Sequence, residues 1–404
     1  MSIFNFWFFS TVIGLYISLI LLPVNGIKWL AINNLRSNWI DPNQCPATVN
    51  EKEIFGFVQY QSELCRRMTD LMPYVKNAAK ETIEMCQEIF KEHRWNCSTI
   101  KKAPNFGSDL TKGTKEQAFV YALSSAAIVH SIAKACSKGE LDYCKCGIAQ
   151  NENIIFSNND ETSTNELPTD SPSINSEMDE NAYRWQGCSD NIDYGISASR
   201  EWADATWKSK LRMSRDLGPA GEFIWDEDNS ILTTPAMPRM HEIKGITEGK
   251  KIIMNQQNNN VGRQIVVKSQ FQKCKCHGVS SSCQVQTCWN TLPPFKAIAD
   301  GLKIKYLQAQ QLTTKSHFLN PNIPPPTDLI YLRPSSNYCE LTHDRECNAT
   351  TNPTSINSCS NLCCERGHYA ITVPITEHCH CKYVHCCYVK CKSCLFYVNK
   401  SFCN

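Results

Sequence analysis

The chain has 404 residues, 42% of them hydrophobic, and a formal net charge of +2. That length can bury a sizeable core, and so small a charge excludes the basic excess on which nucleic-acid binding relies. Its 24 cysteines are even in number and unevenly spread, with twelve of them between Cys339 and Cys403, a density that marks a disulfide scaffold made in an oxidising compartment.

The first element is an apolar run from Phe6 to Gly26, FWFFSTVIGLYISLILLPVNG. Val24 and Gly26 are small enough for a signal-peptidase site, so residues 1–26 read as a secretory leader. No Lys or Arg precedes the run, and its length also suits an uncleaved anchor. No other run is expected to approach the length of a membrane span, which places the rest of the chain in the lumen and then outside the cell. N-x-S/T acceptors at Asn96, Asn348 and Asn399 fit that route.

Helical spacing follows. Leu64, Met68, Leu71, Val75, Ala79, Ile83, Cys86 and Phe90 recur at steps of three and four, predicting helix over 61–94 with a kink or restart at Pro73. KEQAFVYALSSAAIVHSIAKAC predicts a second helix over 115–136, its small residues allowing close packing. Further helices are expected over 193–207 and 293–311, the latter with proline in its first turn. Residues 151–183 hold eight acidic residues and no Lys or Arg, and 216–260 mix Pro, Gly and an Asn/Gln run. Neither shows a lasting period, so both are expected to be mobile surface insertions.

The prolines of LNPNIPPPTDL predict a stiff, extended linker over 319–330. Beyond it, residues 331–404 mix cysteines with β-branched and aromatic residues, the pattern of a small strand-rich unit that needs bridges because it lacks core. The expected fold is α+β and disulfide-rich: a mainly helical N-terminal domain over 27–318 and a small C-terminal cysteine-rich β-hairpin domain.

One segment concentrates the chemistry: CKCHGVSSSCQVQTCW, residues 274–289. A zinc site would use thiolates and His277. The cysteine offsets of 0, 2, 9 and 14 are not those of paired knuckles, and thiols on a secretory route are oxidised. A nucleophile would pair His277 with Ser280, but the segment has no acid to orient the histidine and no G-x-S-x-G elbow. A stapled loop uses every cysteine: Cys274 with Cys288 and Cys276 with Cys283 make a nested ladder. Closing the outer loop is worth about 3 kcal/mol in the chain-entropy model. The tip is then HGVSSS, with Gly278 permissive for a turn. Composition alone does not decide whether that tip presents something or only closes the loop.

The same segment resembles the signature of the Wnt family of secreted, lipid-modified signalling proteins, CKCHGxSGSCxxxTCW. The likeness extends to EMCQEIFKEHRWNCS (84–98, with Met85 before Cys86), to the 115–136 segment, and to WQGCSDNIDYG (185–195) and ASREWADA (198–205). NNNVGRQIV (258–266), CCERGH (363–368) and the closing cysteine array continue it. The resemblance implies that 274–289 is a "thumb" hairpin. Ser280 on it would be esterified with a monounsaturated fatty acyl chain by a Porcupine-type acyltransferase. That chain would enter a groove on a Frizzled cysteine-rich domain, with Gly278 and Val279 beside it.

A second hairpin over 379–394, the "index finger", would touch the receptor with Tyr383, Val384, His385 and a vicinal Cys386–Cys387 pair. An LDL-receptor-related co-receptor and a lipid-binding carrier during secretion are the other implied partners. The resemblance further implies the pairs Cys86–Cys97, Cys136–Cys144, Cys146–Cys188, Cys339–Cys364, Cys347–Cys359, Cys363–Cys403, Cys379–Cys394 and Cys381–Cys391. Cys45 with Cys65 follows by exclusion. It implies no metal, no cofactor beyond the acyl chain, and no catalytic residue. The rival expectation is an unacylated disulfide-rich protein of the extracellular matrix, or an antagonist.

Two departures from the family pattern stand out. Ser281 replaces the glycine of S-G-S, and Tyr383-Val384-His385 replaces the usual F-H-W, removing a tryptophan of the kind that anchors interfaces.

Overall fold

The computed structural model describes residues 26–147, 183–207, 243–312, 325–349, 355–384 and 388–404. The helices are α1 Val49–Phe55, α2 Gln59–Arg67, α3 Met72–Phe90, α4 Lys115–Lys138, α5 Ile192–Ala203, α6 Ile243–Lys268, α7 Phe295–Leu307 and the single turn α8 Cys359–Leu362. The strands are β1 Tyr183–Gln186, β2 Phe271–Cys276, β3 Val285–Thr291, β4 Gln310–Gln311, β5 Ile330–Tyr331, β6 Glu346–Cys347, β7 His368–Val384 and β8 Tyr388–Cys403. The architecture is α+β, a helical body followed by a small disulfide-rich sheet domain.

The body is built round α4. The Thr114 hydroxyl accepts the Gln117 N–H at its start, and Gly139, at φ 70°, closes its end, the usual capping chemistry at each terminus. α4 packs against α3, α5, α6 and α7 and is apolar almost all round. Contrary to the expectation that no other segment suits a membrane span, it is long and apolar enough to cross one, yet 94% of its most apolar window is buried inside the fold. A helix hydrophobic on every face is what a helix enclosed by other helices requires.

Several boundaries differ from those expected. The expected 61–94 helix is two helices that break at Met68 (φ −138°), with Pro73 in the first turn of α3, where a missing N–H costs nothing. Gly26, placed at the end of the leader, belongs to the folded part: its N–H donates to the Tyr121 hydroxyl at 2.6 Å. Residues 151–182 and 216–242 of the expected insertions lie outside the described residues, while Tyr183 opens β1 and 243–260 are helix. The period of α6 was hidden because its buried face mixes Met254, Val261 and Val266 with Asn255, Asn258, Asn259 and Arg263. Most of their polar atoms are paired: Asn258 exchanges two bonds with the backbone of Ile330, Arg263 meets Asp204 at 2.9 Å, and Asn259 Nδ2 donates to Asp204 at 2.7 Å, leaving Asn259 Oδ1 without a partner among the described residues.

Nor do residues 325–330 form a free-standing linker. Leu329 and Ile330 are buried, β5 pairs in parallel with β4, and Lys305 holds Asp328 at 3.0 Å. The two domains are joined by reciprocal arginines. Arg345 donates to the carbonyls of Lys91, His93 and Arg94 just past α3, and Arg94 donates to the carbonyl and side chain of Asn361 in α8.

Candidate functional site

β2 and β3 form an antiparallel hairpin in which Cys274 stands opposite Cys288. The structure brings together Cys274 with Cys288 and Cys276 with Cys283, Cα atoms 4.1 and 4.6 Å apart. Above the inner bridge the His277 N–H donates to Val285 O at 2.7 Å, the Gly278 N–H to Ser282 O at 2.9 Å, and the Ser281 N–H back to Gly278 O at 3.0 Å. Gly278 is needed for closeness rather than for φ: a Cβ there would lie 2.0 Å from Ser282 Oγ and 2.6 Å from its carbonyl oxygen. The turn is made by Ser280 and Ser281, both left-handed at φ 57° and 63°. Both are exposed, Ser282 is half-buried, and Val279 is 90% exposed. The His277 ring lies across the hairpin with Nε2 2.9 Å from Thr287 Oγ1. The sulfurs are spent in disulfides, so they are not thiolate ligands for a metal.

The hairpin's footing is polar and was not anticipated from the sequence. β1 adds to β3 in parallel, Tyr183 opposite Val285. Asp190 gathers Lys134 Nζ at 2.8 Å, Ser137 Oγ at 2.5 Å, Thr291 Oγ1 at 3.0 Å and the Leu292 N–H at 2.7 Å. Burial raises this carboxyl's pKa, but Lys134, Ser137 and the Leu292 N–H outweigh it and hold the group below its ordinary range. His130 Nε2 lies 3.0 Å from Pro293 O, where β3 runs into α7, and burial lowers its pKa. Asp190 lies within the WQGCSDN segment, so a signal was present. Its partners come from α4 (Lys134 and Ser137) and from the end of β3 (Thr291 and Leu292), 53 to 102 positions away.

The second hairpin is longer than the expected 379–394. β7 and β8 pair from His368–Cys403 to Val384–Tyr388, with a register shift between Cys379 and Lys382. The structure joins Cys379 with Cys394 and Cys381 with Cys391. Tyr383 is 72% exposed and pairs with Val389, and Val384 pairs with Tyr388. His385, Cys386 and Cys387 lie outside the described residues. At the hairpin's base Cys339–Cys364, Cys347–Cys359 and Cys363–Cys403 enclose a small core with Leu362.

The helical body holds Cys45–Cys65, Cys86–Cys97, Cys136–Cys144 and Cys146–Cys188. Two sulfur clusters, Cys347-Cys359-Cys363 and Cys379-His380-Cys394, have metal-like spacing, but their sulfurs too are in disulfides. Of the three glycan acceptors, Asn96 and Asn348 are half-buried and Asn399 is exposed.

Comparison with known proteins gives a consistent result. A family model described as the Wnt family matches residues 53–404. Protein Wnt-11b-1 of Xenopus tropicalis is 36% identical over 397 residues, covering 94% of each chain. Protein Wnt-11 of Gallus gallus is 36% identical over 395 residues, covering 94% of this chain and 93% of its own. Protein Wnt-5a of Mus musculus is 33% identical over 365 residues, covering 87% and 81%. Among solved structures, human WLS in complex with WNT8A aligns over 82% of this chain and 94% of that one, with 27% identity and a TM-score of 0.49. With the signature hairpin and the cysteine array in the same chain as these matches, the protein belongs to the Wnt family of signalling ligands, which act by binding rather than by catalysis.

Proposed function

We propose that this protein is a secreted, O-acylated Wnt ligand that carries a monounsaturated fatty acyl chain on Ser280 and activates Frizzled receptors by gripping the cysteine-rich domain between thumb and finger. The observation that carries the reading is the thumb tip. Ser280 is an exposed hydroxyl at the apex of a left-handed turn, held by two nested disulfides and by the Gly278–Ser282 closure. A methylene moved into an apolar groove contributes about 0.8 kcal/mol, so a chain burying roughly ten of them has on the order of 8 kcal/mol of gross drive before ordering costs. The rigid hairpin lowers those costs by presenting the chain already oriented. Acylation in the endoplasmic reticulum by a Porcupine-type enzyme, escort by a lipid-binding carrier, and an LDL-receptor-related co-receptor complete the reading. The exposed Tyr383 and Val389 of the finger supply the second contact.

The test is mass analysis of the 274–289 peptide from secreted protein. An ester-linked fatty acyl is expected on the wild type and on Ser281→Ala, and none on Ser280→Ala, which should fold and be inactive on a Frizzled reporter. Loss of the lipid from Ser281→Ala but not from Ser280→Ala would move the site by one residue. An unacylated wild type that still signals would overturn the reading.

A further inference from the structure

β7 and β8 stand out from the C-terminal domain as a two-stranded ribbon, and strand alternation sorts their side chains onto two faces. One face carries Tyr369, Ile371, Val373 and Ile375 opposite Phe402, Lys400, Val398 and Phe396. The other carries Thr372, Pro374 and Thr376 opposite Asn399, Tyr397 and Leu395. On this second face Tyr397 is 71% exposed, Leu395 57%, and Pro374 is exposed beside them. A contiguous apolar strip on a ribbon whose β7 edge pairs with no further strand among the described residues, in a sheet ordered β6-β8-β7, is an association hazard. Immediately beside the strip, on the same face, is Asn399, which opens the acceptor triplet Asn399-Lys400-Ser401. Its side-chain oxygen accepts the Thr372 hydroxyl at 2.7 Å, which fixes the plane of the amide whose nitrogen would take a sugar.

We propose that Asn399 carries an N-linked glycan whose first sugar lies on the Tyr397 ring and covers the Tyr397–Pro374–Leu395 strip. The proposal rests on the secretory route given above. Residues two apart on one strand face are separated by about 7 Å, a distance one sugar ring spans. The C–H face of a pyranose is apolar and slightly positive, and it suits the negative face of an aromatic ring. The donor is a polyprenyl-diphosphate-linked oligosaccharide. Asn399 Nδ2 attacks the anomeric carbon of its first sugar, the bond from that carbon to the diphosphate oxygen breaks, and the diphosphate leaves with the electron pair. Nδ2 gives up one proton, and nothing is oxidised or reduced. The glycan then marks this face of the finger as the outer one and leaves the Tyr369–Phe402 face and the tip for contacts.

The experiment uses secreted full-length protein. Glycopeptide mass analysis reads occupancy at Asn96, Asn348 and Asn399, and iodination reads Tyr397 against Tyr383 as an internal reference. Occupancy at Asn399 is expected, with Tyr397 iodinated severalfold more slowly than Tyr383. Trimming the glycan to its first sugar should keep that protection. Asn399→Gln should raise Tyr397 labelling to the Tyr383 rate and increase self-association in sedimentation. Where Asn399→Gln is poorly secreted, Ser401→Ala removes the acceptor and leaves Asn399 in place. Asn96 or Asn348 occupied with Asn399 bare would overturn this proposal alone. All three bare would overturn it as well, and failure to recover the protein from the medium at all would overturn the secretory reading with it. Equal Tyr397 labelling with and without the glycan would overturn the packing.

Discussion

The thumb's disulfides span 14 and 7 positions and the finger's 15 and 10, so the two hairpins carry nearly the same ladder. What stands behind them differs. Thumb strands of six and seven residues gain a third strand, β1, and sit on the Asp190 cluster of the helical body. Finger strands of 17 and 16 residues are exposed along most of their length and rest on a core of four half-cystines and one leucine. The thumb is held by the body and trimmed by its staples, whereas the finger's domain exists because of its staples.

That contrast can be broken most directly by removing one bridge from each. Cys363–Cys403 closes a separation of 40 between two fully buried residues, and Cys276–Cys283 a separation of 7. In the chain-entropy model the first is worth about 4 kcal/mol and the second roughly 2.5 kcal/mol. The larger difference lies in reach. Cys363→Ala should abolish hydrogen-exchange protection along the whole of β7 and β8, while Cys276→Ala should abolish it only over residues 277–283 and reduce acylation. Equally wide loss in the two variants would show that the thumb depends on its staples as the finger does.

The sequence showed the hairpins better than it showed what they rest on. Cysteine offsets and turn residues are local, so the nested thumb ladder could be read directly, and the finger ladder followed from the likeness to the family. The footings are long-range and polar, and no period reports them. α6 buries Asn258 and Asn259 where a helix face is expected to be apolar, and it therefore read as loop. Leu329 and Ile330 sit behind a proline cluster and read as linker, though both are buried and Asn258 ties Ile330 to the body. Arg345 and Arg94 are ordinary surface residues by composition, and only the fold places them across the domain junction. Asp109, which accepts from Trp95 Nε1 at 2.8 Å and from the Thr99 hydroxyl, and Glu116, held by Tyr306 and Ser335, are hidden in the same way.

Acid sharpens the comparison at an intermediate scale, because each footing holds a histidine shielded from water, His93 half-buried and His130 buried. His93, whose carbonyl accepts from Arg345, has its pKa pushed down to about 4 by burial and by the neighbouring charges of Lys303 and Arg345. Its ordinary value is about 6.5, so the unfolded chain takes up the proton first. The stability it contributes is complete above about 6.5 and is lost as pH falls from there toward about 4. His130, beneath the thumb, is lowered by burial, with Lys134 and Lys138 opposing its charge, Asp190 favouring it, and Glu81 3.9 Å from Nδ1. It softens the thumb's footing in the same direction. Asp190 does not, since its lowered carboxyl keeps its charge until pH falls below the ordinary carboxylate range. Thermal melts at pH 7 and pH 5 should show the C-terminal domain destabilised at the lower pH. His93→Gln should flatten that dependence while His130→Gln leaves it in place; the reverse result would assign the sensitivity to the thumb.

The smallest expected effect lies at the thumb tip and concerns the family position that this chain has changed. Ser280 and Ser281 are both left-handed, at φ 57° and 63°, a conformation that costs a residue with a Cβ roughly 1–2 kcal/mol. At 280 the hydroxyl is the reason to bear that cost. At 281 the family pattern has glycine, which bears none of it. Ser281→Gly removes the strain and widens the unfolded ensemble, an opposing term of about 0.4–1 kcal/mol, so the net gain should be on the order of a few tenths to 1 kcal/mol and confined to the turn. The Ser282 N–H, bonded to Val279 O at 3.2 Å, should exchange more slowly, acyl occupancy on Ser280 should rise, and no amide of β7 or β8 should change. Faster exchange at Ser282 would mean that the Ser281 side chain stabilises the left-handed turn, and that serine here is a replacement for glycine rather than a loss of it.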